Sequence, residues 1–284
     1  MTKPQETPFG SWRSPIEEDL ITSSTVGLGQ VALNGEDIYW SELRLWERGR
    51  TVVVRQSANH PPCDVTPAGF NVRTRVHEYG GGSFFVCDRT VYFSNFADGR
   101  FYRQDLGKEP QPITPETAMR FGDGVFNRQH QRIICVCEDH TVAGREPINT
   151  IVSVGLEEEG NPQLLVYGND FYASPRLSPD NSRLAWLTWN HPNMPWDGTE
   201  LWVGFLKADG SVGHTEKVAG GLDESIFQPQ WSPDGTLYFI SDKTGWWNLY
   251  RWRDGTVEAL TEMTAEFGIT SMAFGDVHLC LRVS

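Results

Sequence analysis

Phe227-Gln-Pro-Gln-Trp-Ser-Pro-Asp-Gly-Thr-Leu-Tyr-Phe-Ile240 is the stretch whose reading decides the fold, and it has an earlier partner, Ala173-Ser-Pro-Arg-Leu-Ser-Pro-Asp-Asn-Ser-Arg-Leu-Ala-Trp186. Ser178 aligns with Ser232, an offset of 232 − 178 = 54 residues. Both copies read Pro-x-x-Ser-Pro-Asp, then a small turn residue, then a run of bulky apolar groups. Proline fixes φ, and Asp-Gly or Asp-Asn tolerates the left-handed conformation, so each copy predicts a tight turn. The turn joins a short incoming strand, 228–231 in the later copy, to a buried strand at 237–240. Repeats of roughly 40–50 residues built on such turns mark the blades of a β-propeller.

Working outward, a first unit has strands at Asp37–Arg44 and Thr51–Arg55 and an outer strand within 62–67. A second unit starts at Tyr79–Val86, continues through 90–94 and 100–104, and closes at 111–115. Ile113-Thr-Pro115 echoes Val65-Thr-Pro67 at 114 − 66 = 48 residues. Further units cover about 120–167, 171–221 and 226–260, and a fragment starts at Phe267. Asp-Gly pairs at 98, 123, 197, 209, 234 and 254 supply turn signals. Amphipathic segments of helical period are nearly absent. The fold expected is all-β: a propeller of four-stranded blades, about five blades plus a fragment and incomplete as a ring, spanning 29–284 behind an N-terminal arm at 1–28 in which Trp12-Arg-Ser-Pro-Ile16 packs on the body. An open ring exposes strand edges, so marginal stability or self-association is expected.

The chain of 284 residues carries 24 − 37 = −13 charges, which argues against nucleic acid and anionic membrane surfaces as partners. No apolar run reaches the ~20 residues of a membrane span, and the start lacks the apolar stretch of a secretory leader. Five cysteines at irregular spacing read as reduced thiols in a cytoplasmic protein, with Cys135 and Cys137 on one face of a strand. No cofactor and no metal site is expected, because a second ligand pair is missing.

Catalytic motifs are missing too. No serine sits in Gly-x-Ser-x-Gly, and His77-Glu78 is not followed by a second histidine. Two stretches are nonetheless too polar for plain strands. In Arg73-Thr-Arg-Val-His-Glu-Tyr-Gly-Gly-Gly-Ser83, Arg75, His77 and Glu78 can form an ion-paired cluster, and the three glycines let backbone approach closely. With Tyr79, this is either a patch facing substrate or a partner domain, or a salt-bridged strand start with a bulge. In Trp189-Asn-His-Pro-Asn-Met-Pro-Trp-Asp-Gly-Thr-Glu200, the loop is far longer than a two-residue hairpin. Its Asn190, His191, Trp196 and Asp197 either line a channel mouth or partner surface, or belong to an ordinary ordered loop. Trp246-Trp247 reads as core.

Arg75-Val-His-Glu-Tyr-Gly-Gly81, Asn95-Phe-Ala-Asp98, Gly168-Asn-Asp-Phe-Tyr172, Ser178-Pro-Asp180, Trp189–Asp197 and Gln228-Pro-Gln-Trp-Ser-Pro-Asp-Gly235 together resemble the N-terminal propeller of prolyl-oligopeptidase-family serine peptidases. The branch it most resembles is the acylaminoacyl-peptidase and dipeptidyl-aminopeptidase-like enzymes. The resemblance runs from about Phe9 to Phe267. It implies a lid on an α/β-hydrolase domain that would lie C-terminal to this chain, with its Ser-Asp-His triad there and short peptides as substrates. No catalytic residue is therefore assigned within the chain, which alone is expected to be inactive. The last stretch, 268–284, departs from the family pattern as a truncation or frameshift would. The expected role is substrate gating in a serine exopeptidase or oligopeptidase. The alternative is a stand-alone TolB-like propeller acting as a protein-interaction module.

Overall fold

A computed structural model describes residues 6–11, 14, 16–17, 20, 25–156 and 160–268. The expected packing of 12–16, Cys280 and most of the fragment beyond Phe267 lie outside the described residues. Twenty strands form five four-stranded antiparallel sheets, and each sheet is a simple meander. The first holds β1 (Val26–Asn34), β2 (Asp37–Arg44), β3 (Arg50–Gln56) and β4 (Cys63–Asp64). The second holds β5 (Phe84–Cys87), β6 (Thr90–Ser94), β7 (Phe101–Asp105) and β8 (Gln111–Pro112). The third holds β9 (Met119–Asn127), β10 (Arg132–Asp139), β11 (Ile148–Gly155) and β12 (Gln163–Val166). The fourth holds β13 (Phe171–Leu177), β14 (Arg183–Trp189), β15 (Glu200–Leu206) and β16 (Val212–Gly220). The fifth holds β17 (Ile226–Trp231), β18 (Leu237–Ser241), β19 (Asn248–Arg253) and β20 (Thr256–Ala259). The first strand starts three residues earlier than the sequence pattern suggested, and β5 starts later, at Phe84, because Tyr79–Ser83 is turn and bridge.

The five sheets are propeller blades. Their first strands touch in the order β1, β5, β9, β13, β17, and among the described residues the ring is not closed. One apolar cluster fills each of the four junctions between neighbouring blades. The period of two along a strand decides which junction a side chain serves. On β14, Leu184 and Trp186 face the third blade, while Ala185, Leu187 and Trp189 face the fifth. On β10, Ile134 faces the fourth blade, while Ile133, Cys135 and Cys137 face the second. Cys135 and Cys137 do share one face, and burial pushes the Cys137 thiol up to about 12. Because both faces of a middle strand are buried, it reads as a continuous apolar run rather than an alternating one. Trp247 is half-buried and meets Phe227 edge-on, but Trp246 is 39% exposed and is not core.

The meander sorts the loops into two rims. Loops leading into a first strand (73–83, 167–170, 221–225) and loops joining a second to a third strand (95–100, 140–147, 190–199, 242–247) emerge on one side, the upper rim. Turns joining a first to a second strand emerge on the opposite, lower rim, and both Ser-Pro-Asp turns lie there.

Candidate functional site

Each bulge on a first strand is local in sequence but common to several blades. The strand registers shift at 173/176 and 227/230, and at the bulge of β9 opposite 134/136. Asp123, Ser174 and Gln228 sit at these bulges with φ near +50°, and Gly82 holds +54° just before β5. Asp123-Gly124 is therefore a bulge inside a strand and not the turn its dipeptide suggested. A Cβ on Gly82 would come within 2.7 Å of the Asp123 backbone, which is the close approach the three glycines permit. The Asp123 N–H donates to the Gly82 carbonyl at 2.8 Å, and the Asp123 carboxylate accepts from Ser174 N at 2.7 Å and pairs with Arg176 at 2.9 Å. A buried carboxylate is tolerable only with such partners. These residues string the second, third and fourth blades together along their innermost strands.

On the upper rim, the two stretches singled out in the sequence converge. His77 and Glu78 both adopt left-handed φ, at 57° and 60°. Non-glycine residues hold that conformation where surrounding bonds over-determine it. The His77 N–H donates to Glu138 Oε1 at 2.6 Å, and the ring Nε2 donates to the Tyr172 carbonyl at 2.9 Å. The His77 ring lies 5.3 Å from Trp189 and 5.8 Å from Phe171, whose own ring is 4.9 Å from His191. His77 thus ties the second blade to the third and fourth. Burial lowers the His77 pKa against the opposing pull of Glu138.

An ion-paired cluster forms here, but not as expected. Glu78 pairs with Arg120 at 2.5 Å, and Arg120 also reaches Glu138 at 3.5 Å, while His140 donates to Glu138 at 3.2 Å. Arg120 holds the Glu78 carboxyl below the usual range. Arg75 instead lies over the Phe96 ring at 5.1 Å beside Arg73 at 4.6 Å, a cation–π arrangement. Its carbonyl accepts from Arg120 at 3.1 Å. Tyr79 is 53% exposed at the rim.

The 190–199 loop is bound to its neighbours rather than loose. Asn190 Oδ1 accepts from Asp170 N at 2.7 Å, and Asp170 Oδ2 accepts both the His191 N–H at 2.9 Å and its ring Nδ1 at 3.0 Å. The His191 backbone N–H, with its ring, holds the Asp170 carboxyl below the usual carboxylate range. Asn193 Nδ2 donates to Leu222 O at 2.9 Å and Ser225 Oγ to Pro195 O at 2.6 Å, so the loop is clasped to the fifth blade. Trp196 is half-buried, and Asp197 turns back on its own loop to accept from Met194 N at 2.8 Å. Asn190 and His191 therefore join His77 around Phe171, whereas Trp196 and Asp197 serve the loop itself. Sequence reasoning missed Glu138, Arg120, Asp123 and Asp170, because the partners that tie them to His77, Glu78, Ser174 and His191 lie 21–61 residues away; the one sequence hint was the Glu138-Asp139 pair ending an apolar strand. Among the described residues no group of three or more metal-ligating side chains converges, and no helix is long and apolar enough to cross a membrane.

No protein-family model matches the chain, and no curated protein matches it. Solved structures do. A Mycobacterium tuberculosis puromycin-hydrolyzing peptidase is 37% identical over 95% of this chain and 44% of its own length, with a TM-score of 0.84. A puromycin hydrolase in complex with PGG is 33% identical over 92% of this chain and 43% of its own, also with a TM-score of 0.84. TolB from Acinetobacter baumannii is 15% identical with a TM-score of 0.52, a likeness of fold alone. The chain thus spans less than half the length of the peptidases it matches.

Proposed function

This chain matches the β-propeller region of prolyl-oligopeptidase-family peptidases, and on that premise we propose that it is the substrate-gating portion of a cytoplasmic serine exopeptidase. The hydrolytic centre belongs to an α/β-hydrolase domain beside it. The observation that carries this reading is 37% identity over 95% of the chain against only 44% of a puromycin-hydrolyzing peptidase. Substrates of the whole protein are short peptides and aminoacyl amides of the puromycin type.

The physics of the fold supports a gate. Blade junctions filled by bulky apolar clusters resist deformation. The bulge residues at Gly82, Asp123 and Ser174 are tied side by side along the first strands, and the upper-rim loops are cross-bonded between blades. A stiff row of blades of this kind excludes by size rather than by moulding itself to each peptide. The likeness to TolB, at 15% identity, gives no separate support to a protein-interaction module.

The test replaces the propeller of the M. tuberculosis peptidase with this chain and measures hydrolysis of puromycin and of aminoacyl, dipeptidyl and long-peptide arylamides. Cleavage confined to the short substrates is expected, with long ones admitted once residues 190–199 are shortened. A folded chimera that cleaves short and long substrates at equal rates sinks the gating role.

A further inference from the structure

The first blade is built like the others but is covered on one side only. Direct cross-strand partners share a face of a sheet, and neighbours along a strand alternate between faces. Ala32, Tyr39 and Val53 point to the second blade, where they join the apolar cluster of that junction. Val31, paired with Trp40, and Leu33, paired with Ile38, point the other way, and past the bulge of β1 so does Leu28 opposite Glu42. Leu28 is 75% and Leu33 66% exposed, and Val31 and Ile38 are exposed as well. Among the described residues no further sheet lies against this face. The other end of the row differs. A Cβ on Gly268 would sit 3.3 Å from the buried Ile240, so the chain itself begins to cover the outer face of the fifth blade.

The charges beside the exposed face are settled within it. Arg44 on β2 crosses β3 to pair with Asp64 on β4 at 2.7 Å, and it also holds Glu42 at 2.8 Å. Arg50 pairs with Glu47, which meets Arg44 at 3.2 Å. Three carboxylates thus meet two guanidiniums, which makes the region nearly neutral in a chain of net charge −13. An apolar centre with an ion-paired rim is the anatomy of a protein interface.

We propose that this face docks the same face of a second copy, forming a two-fold dimer. Its occupant is a flat apolar sheet face, because rows of aliphatic side chains on a sheet are covered by another sheet about 10 Å away. A charged partner would find no unpaired ion here, whereas two copies of this nearly neutral face meet without opposing bare charges. Pairing withdraws Leu28 and Leu33 of both copies from water. A two-fold contact uses the same patch on each partner, so association stops at the dimer. The self-association expected of an open ring is thereby assigned to one surface, and the assignment does not rest on the gating role.

Sedimentation equilibrium of the chain is expected to show a monomer–dimer equilibrium. Leu28→Glu places like charges opposite one another and is expected to raise the dimer dissociation constant about tenfold or more. Leu28→Lys is expected to do the same alone, and an equal mixture of the two variants is expected to regain association, which also shows that both fold. Leu164→Glu, at an exposed position on β12 of the third blade, is expected to leave the constant unchanged. A monomer at every concentration, with the face covered by another part of its own chain or by solvent, overturns the proposal. So does association that grows past the dimer, a constant unmoved by Leu28→Glu, a mixture that fails to regain association, or equal weakening by Leu164→Glu.

Discussion

The two rims of this propeller are held by different kinds of bond. On the lower rim, the Ser178-Pro-Asp180 turn closes on itself. Ser178 Oγ donates to Asp180 at 2.6 Å, Ser182 N donates to Asp180 at 3.1 Å, and Arg183 N donates back to Ser178 Oγ at 2.9 Å. The Ser232 turn repeats this, with Thr236 N donating to both Ser232 Oγ and Asp234. Links between blades exist here too, as when Arg183 reaches the Gly235 carbonyl at 3.0 Å and lies over Trp231 at 4.6 Å. Each turn is nonetheless complete within six residues. On the upper rim the decisive bonds join residues far apart in sequence, such as His77 to Glu138 and Tyr172. Local closure makes a repeatable joint, whereas long-range closure makes a surface particular to this chain. That is where a gate can be built without disturbing the blades.

The comparison breaks most sharply at the bulges. Asp123→Ala is expected to cost about 3 kcal/mol in urea unfolding, because it strands the buried Ser174 N–H and the Arg176 guanidinium together. A loss no larger than that of a lower-rim turn variant would show that the inter-blade string is dispensable.

Gly82→Ala comes next. It combines left-handed φ with a 2.7 Å approach to the Asp123 backbone, while Gly255, at φ +79°, has open space around its Cα. Gly82→Ala should lower the unfolding free energy by about 2 kcal/mol or more and Gly255→Ala by about 1 kcal/mol. Equal effects would mean that close approach adds nothing to backbone strain.

Ser178→Ala removes one buried hydroxyl and its bonds within a turn. It should cost about 1 kcal/mol and leave the upper rim unchanged by NMR.

The smallest effects are those of pH, and the two rims respond in different windows. The folded pKa of His77 lies below its ordinary 6.5 because the ring is buried, so its contribution is present above pH 6.5 and declines as pH falls below it. Asp180 is held at about 2 by Ser178 and Ser182, so the stability it adds is present above pH 3.8 and is lost as pH falls from there toward 2. Between pH 7 and 5, stability in urea unfolding should therefore decline through His77, while Asp180 contributes no change in that window. His77→Asn should flatten the upper-rim response, and a simultaneous response at both rims would refute the separation.

Much of the fold was legible because blades are made of local signals. The Ser-Pro-Asp repeat placed β13–β14 and β17–β18, and the apolar runs at 132–137 and 184–188 are middle strands buried on both faces. The candidate site was only half legible. The glycines of 80–82 and the stiff prolines of 192 and 195 announced unusual backbone. The ion pair was misassigned to Arg75, however, because nothing local distinguishes it from Arg120, 45 residues on. Asp123-Gly124 carries the same dipeptide as the hairpin at 254–255, yet pairing with the second-blade loop turns it into a bulge.

The sequence by itself determined the blades, their turns, and the doubled faces of their middle strands, since each follows from residues within hydrogen-bonding reach along the chain. Only the tertiary structure decided which rim each loop occupies, that His77 and His191 would meet around Phe171, and that Asn149 would face Asp170 across a blade junction. Those outcomes depend on how one sheet is set against the next, and that angle is fixed by the summed packing of four apolar clusters rather than by any single stretch of sequence.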